Sequence, residues 1–133
     1  MHHPNFYVSR SLTSMSANYG SGSGQQIITS QQSKDDTNTL FTIRDAERTN
    51  SICKTGAPIK CGDYIRLEHS STGKNLHSHT GVKAPLSQRQ EVSGFGDDGS
   101  GDAGDDWQIV CNERADYGPV KKEGEIVTGK DLF

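Results

Sequence analysis

The chain has 133 residues, a net charge of −3 and a pI near 5.9. This length suits one domain with a modest core, and the weak acidic charge provides no basic footprint for nucleic acid. No run approaches the roughly 20 apolar residues of a membrane span. Hydrophobic residues make up 30 % of the chain and 15 glycines accompany them, a composition compatible with a small, loop-rich all-β domain.

The first part of the chain carries little pattern. Residues 1–18 are polar without periodicity and predict a disordered tail. They lack the basic-then-apolar layout of a secretory signal, and the final residues, TGKDLF, are not a retention signal of the KDEL type. Residues 19–26, YGSGSGQQ, have the composition of a flexible linker that leads into a strand.

Composition and alternation predict short strands at residues 27–29, 40–44, 64–69, 76–79, 91–95 and 107–111. Alternation is clearest in the third of these, where Ile65, Leu67 and His69 share one face. Residues 70–74 predict a hairpin turn in which Gly73 supplies a positive φ, and residues 85–87 predict a bend. No amphipathic helix is visible, so the fold class is all-β.

An internal repeat organises these strands. Residues 25–28 correspond to 90–93, residues 40–43 correspond to 106–109, and an aspartate-rich loop lies between the two segments of each copy. Residues 123–132 weakly echo the start of the second copy. Three copies of a four-stranded unit predict a β-trefoil, whose closure removes exposed strand edges.

The copies differ in completeness. The four-stranded leaf at 61–111 is whole, whereas 19–60 holds a partial first leaf and 112–133 the start of a third. Three units of the length of 61–111 would need more than the 133 residues present. The sequence therefore predicts a partial trefoil over 19–133, behind the disordered tail.

Several ordered stretches resemble the MIR repeat, namely PIKCGDYIRLEH at 58–69, TGKNLHSH at 72–79, PLS at 85–87, QEVSGFG at 90–96 and DDW at 105–107. That repeat is shared by protein O-mannosyltransferases, inositol trisphosphate receptors, ryanodine receptors and the stromal cell-derived factor two proteins. The YGSGSGQQ stretch and the acidic loop ahead of the tryptophan are similar to the last group specifically. The resemblance covers roughly residues 19–112.

This resemblance implies a β-trefoil of three MIR repeats in the lumen of the endoplasmic reticulum. It also implies a complex with a J-domain co-chaperone and its lumenal chaperone, which together hold unfolded client proteins. An alternative hypothesis is a carbohydrate-binding module of the protein O-mannosyltransferase type, with mannose-type glycans as ligands. A third is a partial, marginally folded fragment without a function of its own.

Three histidines form the first candidate site. His77 and His79 are two residues apart and share a strand face, while His69 lies across the same hairpin. Zinc sites usually need three or four ligands with a satisfied second shell, so no metal is predicted. Hydrogen bonding within the hairpin and a polar surface for sugar or peptide both stay open. The candidate surface also includes Arg66.

An acidic loop follows at 97–106, with five aspartates among ten residues. Their spacing fails the calcium-binding pattern, which ends on a glutamate. A solvated connection and an acidic docking surface remain as alternatives. We therefore include Asp97 and Asp98 in the candidate partner surface.

The cysteines fit structure better than catalysis. The first and last strands of a four-stranded leaf can end close together, so Cys61 and Cys111 could form a disulfide, although three free thiols are the alternative. Cys53 would then be unpaired. Trp107 fits core packing or a platform for a sugar ring. No carboxylate pair, nucleophile–base order or phosphate loop has credible spacing, so the chain is predicted to be non-catalytic and without a cofactor.

Overall fold

The computed structural model describes residues 10–32, 36–46, 56–97 and 100–111. These ranges are all-β and contain seven strands and two short 3-10 helices. The strands are β1 (Ser11–Asn18), β2 (Gln26–Gln31), β3 (Phe41–Asp45), β4 (Tyr64–His69), β5 (Asn75–Lys83), β6 (Gln90–Phe95) and β7 (Trp107–Gln108), and the helices are Thr37–Thr39 and Ala103–Asp105. Among the described residues, no helix has the length and apolar character needed to cross a membrane.

The strands form one curled antiparallel sheet in the order β1-β2-β6-β5-β4-β3, with β7 added to β4. The β2–β6 pairing places Gln26 opposite Gly94 and so joins the two parts of the chain. The hydroxyl of Tyr19 reinforces this junction, because it lies 3.0 Å from the carbonyl oxygens of Ile28 in β2 and Val92 in β6. The expected strands at 64–69 and 91–95 are confirmed, and Gly73 has a φ of 72°.

The expected disorder at 1–18 is wrong for its second half. Residues 11–18 form β1, which pairs with β2 from Ser11 opposite Gln31 to Asn18 opposite Gln26, with a register shift between. Thr13 and Ser14 are both buried although they are neighbours. The large apolar residues of this strand, Leu12 and Met15, are exposed, and its two buried residues are consecutive and polar. Alternation and composition therefore do not reveal the strand. Residues 1–9 lie outside the described ranges.

Two segments of the repeat fold alike. Each has an aspartate that caps a 3-10 helix, Asp36 before Thr37–Thr39 and Asp102 before Ala103–Asp105. A strand follows each helix, and both strands pair with β4. The expected fourth strand is shorter than predicted, since β7 covers only Trp107–Gln108. The expected start of a third leaf at 112–133 lies outside the described ranges.

The interior is mostly polar. Only four apolar residues are buried in the described ranges, namely Ala46, Cys61, Ile65 and Leu76. Eleven polar residues of the same ranges are buried: Thr13, Ser14, Gln26, Arg66, Glu68, His69, Asn75, His77, Glu91, Ser93 and Asp105. Buried polar groups stabilise a fold only when they are hydrogen-bonded. The sheet therefore depends on satisfied hydrogen bonds more than on apolar packing.

A disulfide closes the second half of the chain. Cys61 and Cys111 are bonded, with their Cα atoms 5.7 Å apart and a sequence separation of 50. Backbone bonds flank it, from Gly62 N to Ile109 O at 2.7 Å and from Ile109 N to Asp63 O at 2.8 Å. The disulfide thus ties the entrance of β4 to the exit of β7.

We expect removal of this disulfide to destabilise the chain strongly. A cross-link over 50 residues restricts the unfolded chain and contributes about 4 kcal/mol in the loop-entropy treatment. The double variant Cys61→Ser/Cys111→Ser should lose that much unfolding free energy in a urea titration. A Cys53→Ser variant keeps the disulfide and serves as the matched control. Equal stability of the double variant and the control would contradict a structural role.

Candidate functional site

A buried carboxylate connects β5 to the loop ahead of β7. Asp105 is fully buried, and its Oδ1 accepts from His77 Nδ1 at 2.7 Å. Its Oδ2 accepts from Asn75 Nδ2 at 3.3 Å and from the Asp102 N–H at 2.9 Å. We call Asn75, His77, Asp102 and Asp105 the Asp105 network. Hydrogen bonds to a charged group are stronger than neutral ones, so the network fixes this loop against β5.

Glycines make this closeness possible. A Cβ on Gly104 would lie 2.6 Å from His77 Cε1, and one on Gly101 would collide with the carboxylate of Asp105. The glycines of the acidic loop therefore let the backbone approach the network. The reciprocal capping bonds between Asp102 and Asp105 have a sequence signal, because a capping residue followed three positions later by an acidic residue is typical of a helix start.

The outer edge of the network is exposed. His79 Nε2 lies 3.2 Å from Asp102 Oδ2, and the rings of His77 and His79 meet edge to face at 4.5 Å. Ligand atoms of His77, His79 and Asp102 lie within 4.8 Å of one another, a spacing compatible with a divalent ion. His77 Nδ1 already bonds to Asp105, so the group serves as a hydrogen-bond network in this structure.

The same contacts set the acidity of Asp102. Burial acts to raise the pKa of Asp102, and the N–H of Gly104 opposes it by donating to the carboxylate. The bond from His79, together with the charges of His77 and His79, acts in the same direction as Gly104. The net result is a pKa below the ordinary value of 3.8.

Two other predicted site residues, His69 and Arg66, lie apart from the exposed edge of the network. His69 is buried near β3, where its ring nitrogens lie 2.7 Å from Thr72 Oγ1 and 2.8 Å from the carbonyl oxygen of Asn38. Arg66 is buried and donates to Asp106 at 2.8 Å and to the carbonyl of Asp102 at 2.9 Å. Neither residue is available to a ligand.

The structure therefore does not unite the predicted residues in one surface. The expectation is wrong for His69, His77 and Arg66, which are buried and bond to the protein itself. Their environment matches the alternative of hydrogen bonding within the fold. His79 and Asp97 are exposed, and Asp98 lies outside the described ranges. Trp107 is half-buried, and its indole N–H donates to Leu76 O at 2.9 Å, as expected for a packing role.

A cavity with both polar and apolar lining lies beside the network. It has a volume of about 350 Å³ and opens between the end of β1, the start of β2 and the end of β6. Asn18, Gln25 and Gln26 line one side, and none of these three amides was predicted as a site residue. We call this cavity the strand-end pocket.

The opposite side of the strand-end pocket is built by Lys74, by Phe95 and by Asp97 and Ser100 at the start of the acidic loop. Gly96 has a φ of 84°, and a Cβ there would collide with the carbonyl oxygen of Ser100. Asn75 Nδ2 also donates to that oxygen at 3.2 Å. The Asp105 network therefore holds one wall of the pocket, and Asp97 is the predicted residue that lines it.

Comparison with known proteins places the chain in a family. Residues 7–131 match the MIR domain family, and the chain belongs to it. Over most of its length the chain is homologous to stromal cell-derived factor 2 and to stromal cell-derived factor 2-like proteins. This homology confirms the resemblance seen in the sequence. It is 52 % identical to stromal cell-derived factor 2 of Mus musculus over 116 residues, which cover 86 % of this chain and 51 % of the mouse protein.

The stromal cell-derived factor 2-like protein of Dictyostelium discoideum is 48 % identical over 122 residues, which cover 90 % of this chain and 54 % of that protein. The chain thus spans about half the length of these relatives. The crystal structure of the SDF2-like protein from Arabidopsis thaliana superposes with a TM-score of 0.70 at 39 % identity. The match covers 84 % of this chain and 58 % of that one. The structure of the S. cerevisiae protein O-mannosyltransferase Pmt1-Pmt2 complex bound to the sugar donor superposes with a TM-score of 0.67 at 32 % identity. The match covers 86 % of this chain and 16 % of that one.

We expect Asp105→Asn to destabilise the chain by about 2 to 3 kcal/mol, the cost of disrupting buried hydrogen bonds to a charged group. The new amide places an N–H₂ against the donors that Asp105 now satisfies. Chemical denaturation provides the measurement. Asp97→Asn is the matched control, since its side chain is 82 % exposed, and its change should stay within about 0.5 kcal/mol. Equal effects of the two substitutions would count against the network.

The lowered pKa of Asp102 predicts a dependence on pH. A carboxyl group whose pKa is lower in the folded state contributes stability above its ordinary pKa, here 3.8, and loses it as the pH falls through the folded value. Asp102→Asn removes this contribution and keeps an oxygen that accepts from Gly104. The stability difference between wild type and variant should therefore shrink on acidification below 3.8. Urea midpoints across the pH range measure it.

The comparison of wild type with Asp102→Asn cancels the pH-dependent contributions of the other titratable groups, because both proteins contain them. Asp36 also has a lowered pKa, because the N–H of Asn38 donates to its carboxylate, but Asp36 is present in both proteins. A difference that stays constant from about pH 6 to pH 2 would contradict the assignment to Asp102.

Proposed function

We propose that this chain is a non-catalytic accessory subunit of a chaperone complex in the lumen of the endoplasmic reticulum, where it acts in protein folding and quality control. The observation that carries the proposal is the 52 % identity with stromal cell-derived factor 2 across 86 % of the chain. The proposed partners are a J-domain co-chaperone, its lumenal chaperone and unfolded client proteins. The family likeness is the support for these partners.

The disulfide supports the compartment. Disulfides persist in oxidising compartments such as the endoplasmic reticulum and are rare in the cytosol. Cys61 is 2 % exposed, and Cys61–Cys111 closes the segment that holds β4 to β7. A chain with a polar interior gains much from such a covalent closure. The secretory pathway suits this requirement.

The β-trefoil is part of the same proposal. Two features support it: the matching segments that end in β3 and β7 and both pair with β4, and the likeness to the Arabidopsis thaliana structure. The proposed leaves are a partial one at 19–60, a complete one at 61–111 and the start of a third at 112–133. β1 extends the first leaf towards the N-terminus.

A second candidate function is a carbohydrate-binding module with mannose-type ligands. The likeness to part of the protein O-mannosyltransferase complex and the strand-end pocket favour it. Small-ligand sites are concave and combine apolar lining with a few placed polar groups, which describes this pocket. The two candidates are compatible, because a subunit of a folding complex can also bind a glycan on its client.

We expect the tagged chain, directed to the lumen of the endoplasmic reticulum, to retain a J-domain co-chaperone under mild extraction. Mass spectrometry of the captured complex gives the measurement. The matched control is Cys61→Ser/Cys111→Ser, which should fold poorly and recover less co-chaperone than the wild type. A subunit loses the co-chaperone when its fold is weakened, whereas a client gains it. Absence of any J-domain protein, or higher recovery with the control variant, would overturn the proposal.

A further inference from the structure

We propose that the strand-end pocket binds a neutral saccharide of one or two rings. This inference rests on the second candidate function and assigns its site to Asn18, Gln25, Gln26, Phe95, Asp97 and Ser100. The shape, charge and rigidity of the pocket each narrow the ligand class.

Two of the three amides of the pocket, Gln25 and Gln26, are held in place before a ligand arrives. Gln26 is 6 % exposed, and its Nε2 donates at 2.8 Å to the hydroxyls of Ser14 and Thr72. Gln25 Oε1 accepts from Ser93 Oγ at 2.6 Å. Side chains that are already ordered lose little conformational entropy on binding. A pocket built this way recognises a ligand of fixed geometry.

The charge in the pocket is balanced. Lys74 supplies one ammonium, and its Nζ lies 4.0 Å from Asp97 Oδ1. An anionic ligand would meet the carboxylate, and a cationic ligand would meet the ammonium, so neither gains a clear advantage. Amides and hydroxyls both donate and accept hydrogen bonds. A ligand whose own hydroxyls donate and accept in turn is complementary to this lining.

Phe95 adds an apolar surface to the pocket. Its ring packs against His77 with centroids 4.5 Å apart, so the Asp105 network fixes its position. The apolar C–H face of a sugar ring fits an aromatic side chain placed beside polar groups. The volume of about 350 Å³ is at the lower end of ligand pockets, which limits the ligand to about one or two rings.

The test is a titration of the full ¹⁵N-labelled chain with methyl α-mannoside and with mannobiose, followed by NMR. Shifts should concentrate on the side-chain amides of Asn18, Gln25 and Gln26 and on the backbone N–H of Gly94. A ligand of this size should bind with a Kd of about 1 mM. Asn18→Ala should weaken binding about three- to tenfold, because it removes a hydrogen-bonding partner. Gln32→Ala removes an exposed amide outside the pocket and should leave the Kd unchanged.

The outcomes separate the two hypotheses. Pocket shifts that Asn18→Ala weakens support the proposal. Binding with shifts elsewhere, equal in wild type and Asn18→Ala, overturns the pocket assignment and leaves the carbohydrate-binding function in place. No shift at concentrations up to about fifty times the expected Kd overturns both.

Discussion

The carboxylate of Asp105 is the constraint on which the packing of the acidic loop against β5 and β4 depends. A buried carboxylate is expensive unless its oxygens are satisfied, and here His77, Asn75 and the backbone of Asp102 satisfy them. Through these three partners one side chain fixes strand β5, the acidic loop and the approach to β7. The arrangement continues outward, because the carbonyl of Asp102 accepts from Arg66 in β4. Loss of Asp105 would therefore loosen the sheet and the loop together.

The first part of the chain repeats this arrangement of a capped 3-10 helix and a buried histidine, but the histidine bonds to a different kind of acceptor. Asp36 caps a 3-10 helix as Asp102 does, and a buried histidine contacts each helix. His69 reaches the carbonyl of Asn38 at 2.8 Å, whereas His77 reaches the carboxylate of Asp105. A neutral carbonyl in one copy and a charged group in the other imply unequal strengths. The second copy is the more tightly held of the two.

The sequence predicted correctly those strands and turns that a local pattern of residues marks. Alternation located β4 and β6, and Gly73 marked the turn between β4 and β5. β1 escaped because its buried residues, Thr13 and Ser14, are polar and adjacent. The spacing of His77 and His79 placed them correctly on one strand, but burial by the acidic loop separates their roles. The strand-end pocket needs Gln26 to pair with Gly94, a contact between distant residues that no local pattern encodes.

The acidic loop shows why counting charges misjudges a surface. Of its aspartates, Asp105 is buried in the network and Asp106 pairs with Arg66 at 2.8 Å, with both side chains buried. Asp97, at the other end of the loop, is exposed and stands 4.0 Å from the ammonium of Lys74. Two of the five aspartates, Asp105 and Asp106, therefore have buried side chains and add no charge to the surface. The exposed charge of Asp97 faces the ammonium of Lys74 beside the pocket, and a charge paired in this way favours recognition by hydrogen bonds over recognition by charge.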